Sequence, residues 1–191
     1  MKFSAVILAG GKSSRMGCDK AFLEISGKTL LARQIELVRA AGAAEVFISG
    51  RMDTDYSAFG CLVLEDHFPD AGPLAGIEAA LAAATHPLLL VLAVDLPEIS
   101  IDFLHELSMH CQKNAGAIPR SDGEIEPLAA FYPKSALALA VAMLKDNSNA
   151  VKHFAERCAQ KGLAALVVFH KSHRRIFSNC NTPANFFVAG R

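Results

Sequence analysis

Three glycines and two cations near the N-terminus have the residue types and the spacing of an anion-binding loop. The glycines are Gly10, Gly11 and Gly17, and the cations that lie among and after them are Arg15 and Lys20. Because glycine has no side chain, the backbone N–H groups of such a loop can approach a ligand closely, and concave sets of N–H donors bind phosphates. The two cations would add charge that amides lack. The segment therefore predicts a polyphosphate site.

A short apolar run, residues 3–8, precedes this loop and predicts a buried strand that presents it. Spacing excludes two familiar phosphate loops. Residues 11–13 supply the G-K-S ending of a P-loop, but Val6 stands where its first glycine is required. Two adjacent glycines followed by lysine do not supply the G-x-G-x-x-G of dinucleotide sites. The alternative, that the glycines only turn the chain, leaves the two cations unexplained.

Two carboxylates follow other apolar runs. Asp95 follows residues 88–94, which show no polar alternation and predict a central strand, and Asp66 follows a predicted strand at 62–65. Ligands of open parallel sheets bind at the carboxyl ends of the strands, so both side chains are expected in one crevice with the glycine loop. Asp95 suits Mg²⁺, which takes one or two carboxylates together with phosphates and water. The alternatives are a turn-capping aspartate at Asp95 and a solvated strand end at Asp66.

Two further segments have exposed hydrogen-bonding groups. Residues 72–76, Gly-Pro-Leu-Ala-Gly, precede a predicted helix at 77–85, and their open N–H groups could bind a base edge or a phosphate oxygen. Residues 179–183, Asn-Cys-Asn-Thr-Pro, contain two side chains that both donate and accept. The alternative for the second segment is an Asx-type turn before a helix that starts at Thr182.

Strand-like and helix-like segments alternate along the chain, which is typical of a parallel α/β sheet. We expect one doubly wound domain over residues 1–191, of the α/β class, with a mostly parallel sheet and helices on both faces. Residues 53–60 are expected to form a surface connection. Strands are predicted at 3–8, 45–49, 62–65, 88–94, 115–120, 128–132 and 164–170, and helices at 28–41, 77–85, 101–114, 135–145 and 150–161.

Composition excludes several classes of protein. Of the 191 residues 52% are apolar and 20% are charged, with 19 basic and 19 acidic side chains, so no bulk charge favours nucleic acid or an anionic membrane. The five cysteines are widely spaced and contain no C-x-x-C pair, which argues against a disulfide framework and a structural zinc site. The longest apolar runs are too short to span a membrane. We expect a cytoplasmic protein that binds neither nucleic acid nor membrane.

Residues 8–20 resemble the signature L-A-G-G-x-S-x-R-M-G-x-D-K of the nucleoside-triphosphate transferases. Within these, the chain is most similar to the molybdenum cofactor guanylyltransferases, whose G-P-L-A-G and N-x-N-T-P motifs match residues 72–76 and 179–183. The resemblance implies transfer of GMP from Mg²⁺-GTP to the phosphate of molybdopterin, with release of pyrophosphate. It also implies small-molecule substrates and transient contact with proteins that deliver or receive the cofactor.

The resemblance also assigns residues. It implies catalytic roles for Arg15, Lys20 and Asp95, with Asp95 as the Mg²⁺ ligand. Nucleotide or acceptor contacts are implied for Leu8, Ala9, Gly10, Gly11, Lys20, Asp66, Gly72, Pro73, Leu74, Gly76, Asp95, Asn179 and Asn181. Two alternatives stay open at this point: a cytidylyltransferase or sugar-phosphate nucleotidyltransferase of the same fold, and a nucleotide-binding module without turnover.

Overall fold

A computed structural model of the chain describes residues 2–10, 20–169 and 176–177. Over these residues strands and helices alternate, as the sequence predicts. The strands are β1 (Phe3–Leu8), β2 (Glu24–Ile25), β3 (Lys28–Thr29), β4 (Ala43–Ser49), β5 (Leu62–Leu64), β6 (Leu88–Ala93), β7 (Gly116–Ser121), β8 (Glu124–Ile125), β9 (Ala129–Pro133) and β10 (Ala164–Phe169). The helices are α1 (Leu30–Ala40), α2 (Pro73–Ala83), α3 (Ile101–Met109), α4 (Leu137–Lys145) and α5 (Val151–Gln160). None of these helices is long and apolar enough to cross a membrane.

One mixed sheet organises the fold, in the strand order β10-β7-β9-β6-β1-β4-β5, with β8 paired beside β7. The strands β6, β1, β4 and β5 are mutually parallel. Strand β9 runs antiparallel to both β6 and β7, so β7 and its parallel neighbour β10 point the same way as β6. The carboxyl ends of six strands therefore lie at one edge, and the expected mostly parallel α/β sheet is confirmed.

Helices cover both faces of the sheet. On one face, α1 and α3 bury side chains such as Ile35 and Leu107, and on the other, α2, α4 and α5 bury side chains such as Leu81, Met143 and Phe154. Every residue of β6 is buried. Its lack of polar alternation follows from burial on both faces, as expected for a central strand.

Several element boundaries differ from those predicted. Helix α1 begins at Leu30, because Thr29 caps it by accepting the N–H of Ala32 and because the residues before it form a β2–β3 ribbon around Gly27, which has φ 77°. Helix α3 ends five residues before the predicted 114, since Gln112 and Ala115 pair with each other across a tight turn. Between the predicted strands at 115–120 and 128–132 lies an additional short strand, β8, which pairs antiparallel with β7.

Glu45 holds together the opposite edge of the sheet, where the parallel strands begin. Its carboxylate accepts hydrogen bonds from Ser4 Oγ at 2.5 Å, from Thr85 Oγ1 at 2.6 Å and from the Thr85 N–H at 3.1 Å. His86 Nδ1 lies 3.4 Å away. Burial acts to raise the pKa of Glu45, but these hydrogen bonds outweigh it and lower the pKa to about 2. This cluster stabilises the fold far from the strand ends that carry the candidate site.

Candidate functional site

A cleft of about 710 Å³ opens at the carboxyl ends of β1, β4 and β5, beside the start of α2. It is the kind of strand-end crevice that the sequence predicts. Among the residues named from the sequence, the cleft brings together Leu8, Gly10, Asp66, Gly72 and Pro73. The remaining lining residues are Ser49, Gly50, Arg51, Met52, Glu65, Pro69 and Asp70.

Ser49 anchors the beginning of the glycine loop. Its carbonyl oxygen accepts the N–H of Ala9 at 2.8 Å and the N–H of Gly10 at 3.0 Å. These two amides therefore fix the loop to β4 and are not available as anion donors, contrary to the expectation for Gly10. A Cβ at Gly10 would lie 3.7 Å from the backbone of Gly50, an ordinary contact. A phosphate bound here would therefore need donors other than the N–H groups of Ala9 and Gly10.

Lys20 and Asp95 form an ion pair on the other side of β1, where β6 ends. Lys20 Nζ lies 3.2 Å from Asp95 Oδ2, and the two side chains are 24% and 22% exposed. The N–H of Val94 donates to the carbonyl of Leu8, which ties the end of β6 to the start of the glycine loop. The structure thus places a cation and a carboxylate next to each other at the base of the predicted phosphate site.

Asp95 has the chemistry of a ligand for Mg²⁺ that arrives with a nucleotide. A single partly exposed carboxylate can complete the coordination of an ion whose other ligands are phosphate oxygens and water. Within residues 2–10, 20–169 and 176–177, no group of three His, Cys, Asp or Glu side chains is arranged to hold a metal by itself. The Asp95 carboxylate therefore fits an Mg²⁺ that arrives bound to a nucleotide.

Asp66 contributes an unusual buried acceptor to the cleft. Its Oδ1 is buried and has no hydrogen-bond partner among the described residues. Burial, and then the nearby charge of Glu78, raise the pKa of Asp66, while His67 acts to lower it. His67 Nδ1 in turn lies 2.9 Å from Glu78 Oε2. Because buried polar atoms in native proteins are nearly always paired, this oxygen points to a ligand that donates to it.

The G-P-L-A-G segment divides between the cleft and the core, because α2 begins at Pro73 and not at the predicted residue 77. Gly72 caps the helix with φ 71°, a conformation that favours glycine, and it lines the cleft with Pro73. Leu74 is fully buried in the core. A Cβ at Gly76 would overlap Ser49 Oγ. Leu74 and Gly76 thus pack α2 against the sheet instead of lining the cleft.

Four of the predicted site residues cannot be placed: Gly11, Arg15, Asn179 and Asn181 lie outside the described residues. Their roles stay predictions. Ser49 and the segment that follows it line the cleft, although they are not among the predicted site residues. This segment includes Arg51, whose guanidinium contacts Asp53 at 2.6 and 2.9 Å. The signal that could have found them is the one used for Asp66, a position at the end of a parallel strand.

Comparison with known protein families shows which family the chain belongs to. A family model described as a MobA-like NTP transferase domain matches residues 5–162. The chain belongs to this family. The resemblance drawn from residues 8–20 is therefore confirmed, although nine of those thirteen residues lie outside the described residues.

Several known proteins are similar to this chain over nearly its whole length. A protein of Opitutus terrae named "Probable molybdenum cofactor guanylyltransferase" is 38% identical over 94% of this chain and 91% of its own length. A molybdenum cofactor guanylyltransferase of Syntrophotalea carbinolica is 35% identical over 97% and 90%. The crystal structure of molybdopterin-guanine dinucleotide biosynthesis protein A from Archaeoglobus fulgidus has a TM-score of 0.76 at 24% identity, covering 100% of this chain and 97% of that one. This last likeness shows the fold.

Proposed function

We propose that this MobA-like chain transfers GMP from Mg²⁺-GTP to the phosphate of molybdopterin, giving molybdopterin guanine dinucleotide and pyrophosphate. The observation that carries the proposal is the Lys20–Asp95 ion pair, which lies across β1 from the cleft with the buried acceptor of Asp66. The names of the Opitutus and Syntrophotalea relatives favour guanine and this acceptor over the cytidylyl and sugar-phosphate alternatives.

The charged residues of the site would contact two different parts of a bound nucleotide, the triphosphate and the base. Lys20, together with Arg15, would bind the triphosphate, and Asp95 would hold Mg²⁺. Asp66 would accept a hydrogen bond from the base. Guanine offers an exocyclic amine and a ring N–H to such an acceptor, which suits Asp66 Oδ1, a buried oxygen without a hydrogen-bond partner in the part of the chain that the structure describes.

The reaction needs little proton transfer from the protein. An ionised phosphate oxygen of the acceptor attacks the α-phosphorus in line, a P–O bond forms there, and the bond to the bridging oxygen of the β-phosphate breaks. Both electrons of the broken bond leave with pyrophosphate. No general base is required, because the attacking phosphate oxygen is already ionised. Mg²⁺, when bound, neutralises phosphate charge. The chain's own contribution is to orient the triphosphate and to stabilise the leaving pyrophosphate through Lys20 and Arg15.

The proposal extends to the domain as a whole, to residues outside the described ranges, and to contacts and location in the cell. Residues 1–191 act as one nucleotidyltransferase domain, which the continuous sheet from β5 to β10 supports. We expect Gly11 to contribute to the phosphate loop and Asn179 and Asn181 to contact the acceptor, and all three lie outside the described residues. The chain makes transient contact with proteins that deliver molybdopterin or receive the product. A reducing cytoplasmic location agrees with thiols at three described cysteines, Cys61, Cys111 and Cys158.

The test is pyrophosphate release with Mg²⁺, molybdopterin and each of GTP, CTP and UTP in turn. We expect turnover with GTP, and a loss of roughly 100-fold or more in Asp95→Asn with GTP binding partly kept. The matched control is Asp146→Asn, at an exposed aspartate that ends α4. Preferred turnover of CTP or UTP would favour the other transferases, and tight binding without pyrophosphate release would favour a module without turnover.

A further inference from the structure

Tyr56 is buried next to the end of β4, inside a segment that the sequence predicts to be a surface connection. It is only 2% exposed. A Cβ added to Gly50 would lie 2.5 Å from Tyr56 Cε2 and Cζ and 2.6 Å from its hydroxyl oxygen. The ring therefore occupies the space that any side chain at Gly50 would need, directly below the floor of the cleft.

The hydroxyl of Tyr56 fixes the backbone of that floor. The N–H of Arg51 donates to Tyr56 Oη at 3.1 Å. Gly50 and Arg51 both line the cleft, and Ser49 just before them holds the start of the glycine loop through its carbonyl. The position of the hydroxyl thus determines where the end of β4 lies relative to a bound nucleotide.

The ring of Tyr56 contacts the other end of the glycine loop. It stacks on Phe22, with centroids 5.8 Å apart and an angle of 20° between the planes, and Phe22 also packs on Phe59. Phe22 lies two residues after Lys20, in the same short helical turn. Lys20 in turn contacts Asp95. One buried side chain therefore contacts both the cleft floor and the segment that carries the phosphate-binding cation.

We propose that Tyr56 is a positioning residue that sets the distance between the nucleotide-binding floor at Gly50–Arg51 and the cation Lys20. The hydroxyl acts on the floor, and the ring acts on Lys20 through Phe22. The identity of the nucleotide in this proposal rests on the proposed function, whereas the connection itself is independent of the ligand.

The test separates the hydroxyl from the ring with Tyr56→Phe and Tyr56→Leu. The phenylalanine variant keeps the stacking but removes the acceptor of the Arg51 N–H, so KM for GTP is expected to rise about 3- to 10-fold with kcat within about 2-fold. The leucine variant also loses the stacking, and kcat is expected to fall as well. The matched control is Tyr132→Phe, at the other tyrosine of the chain, which is also buried and donates to the carbonyl of Pro127.

A general loss of stability would affect Tyr56→Phe and Tyr132→Phe alike, so an equal rise of KM in both variants would overturn the proposal. Unchanged KM in Tyr56→Phe would overturn it too. A second readout needs no ligand: exchange of the Arg51 amide hydrogen is expected to be faster in Tyr56→Phe than in the unmodified chain, and equal rates would overturn the connection. If the unmodified chain fails to use GTP, the proposed function fails while the exchange measurement still decides the role of Tyr56.

Discussion

Gly76→Ala tests how closely α2 must approach the strand ends for the cleft to form. A Cβ at this position would overlap Ser49 Oγ and would lie 2.9 Å from Ser49 Cβ and 3.1 Å from Leu8 Cδ2. Rotation of the Ser49 hydroxyl relieves the first contact but not the second. Either α2 or the end of β4 must move, and Ser49 is the residue whose carbonyl holds Ala9 and Gly10.

The expected change in the free energy of unfolding of Gly76→Ala combines two opposing contributions. Overpacking a buried site costs about 1–3 kcal/mol. Alanine in place of glycine favours a helix interior by about 1 kcal/mol. The free energy of unfolding should therefore fall by roughly 0–2 kcal/mol. Because the displacement occurs at the floor of the cleft, the Kd for Mg²⁺-GTP should rise about 10-fold or more.

Urea unfolding and titration calorimetry with Mg²⁺-GTP measure the two effects. Ala82→Gly, at an exposed position of the same helix, gives the helix-propensity contribution alone and should leave the Kd for GTP unchanged. Ser49→Gly combined with Gly76→Ala removes both clashing atoms of Ser49 and should restore part of the affinity. A Gly76→Ala variant that is more stable than the unmodified chain and binds GTP equally well would refute the packing argument.

Three further predictions concern individual residues. Glu45→Gln should lower the free energy of unfolding by about 1–3 kcal/mol at pH 7. The pKa of Glu45 in the folded protein is depressed to about 2, so its carboxylate stabilises the fold only while it stays ionised. In thermal melts, the difference in stability between the variant and the unmodified chain should therefore shrink as the pH falls from 4.5 towards 2. Asp66→Asn should raise the melting temperature at neutral pH, because the raised pKa of Asp66 means that its charged form destabilises the fold above its ordinary pKa of 3.8. The same variant should weaken GTP binding roughly 10- to 100-fold in calorimetry. A lower melting temperature would contradict the first expectation. Gly72→Ala should lower the free energy of unfolding by about 1–3 kcal/mol through strain at φ 71°, because no atom lies within 4 Å of the added Cβ, and unchanged urea unfolding would contradict this.

The sequence predicted the elements whose character depends on neighbours along the chain. The unbroken apolar run of β6 shows burial on both faces, and the alternation of elements shows a parallel sheet with Asp66 and Asp95 at strand ends. It also predicted the family from residues 8–20. These features rest on local composition and on spacing, which a single sequence displays directly.

The missed features depend on contacts between residues that are distant in sequence. Tyr56 lies in a polar segment, and its burial follows from packing on Phe22 and Gly50. The role of Gly76 depends on how closely α2 approaches Ser49. The ion pair of Lys20 with Asp95 joins residues 75 positions apart. Composition and periodicity carry no information about such contacts, so the structure was needed to find them.

The central claim is that the phosphates of a guanine nucleotide bind beside Lys20 and Asp95 while its base enters the cleft next to Asp66. A crystal structure with Mg²⁺ and GTP tests this directly. We expect the triphosphate at the loop after β1, the ion on the Asp95 carboxylate and the base within hydrogen-bond distance of Asp66. Nucleotide bound at another surface, or no nucleotide at this strand end under saturating GTP, would contradict it.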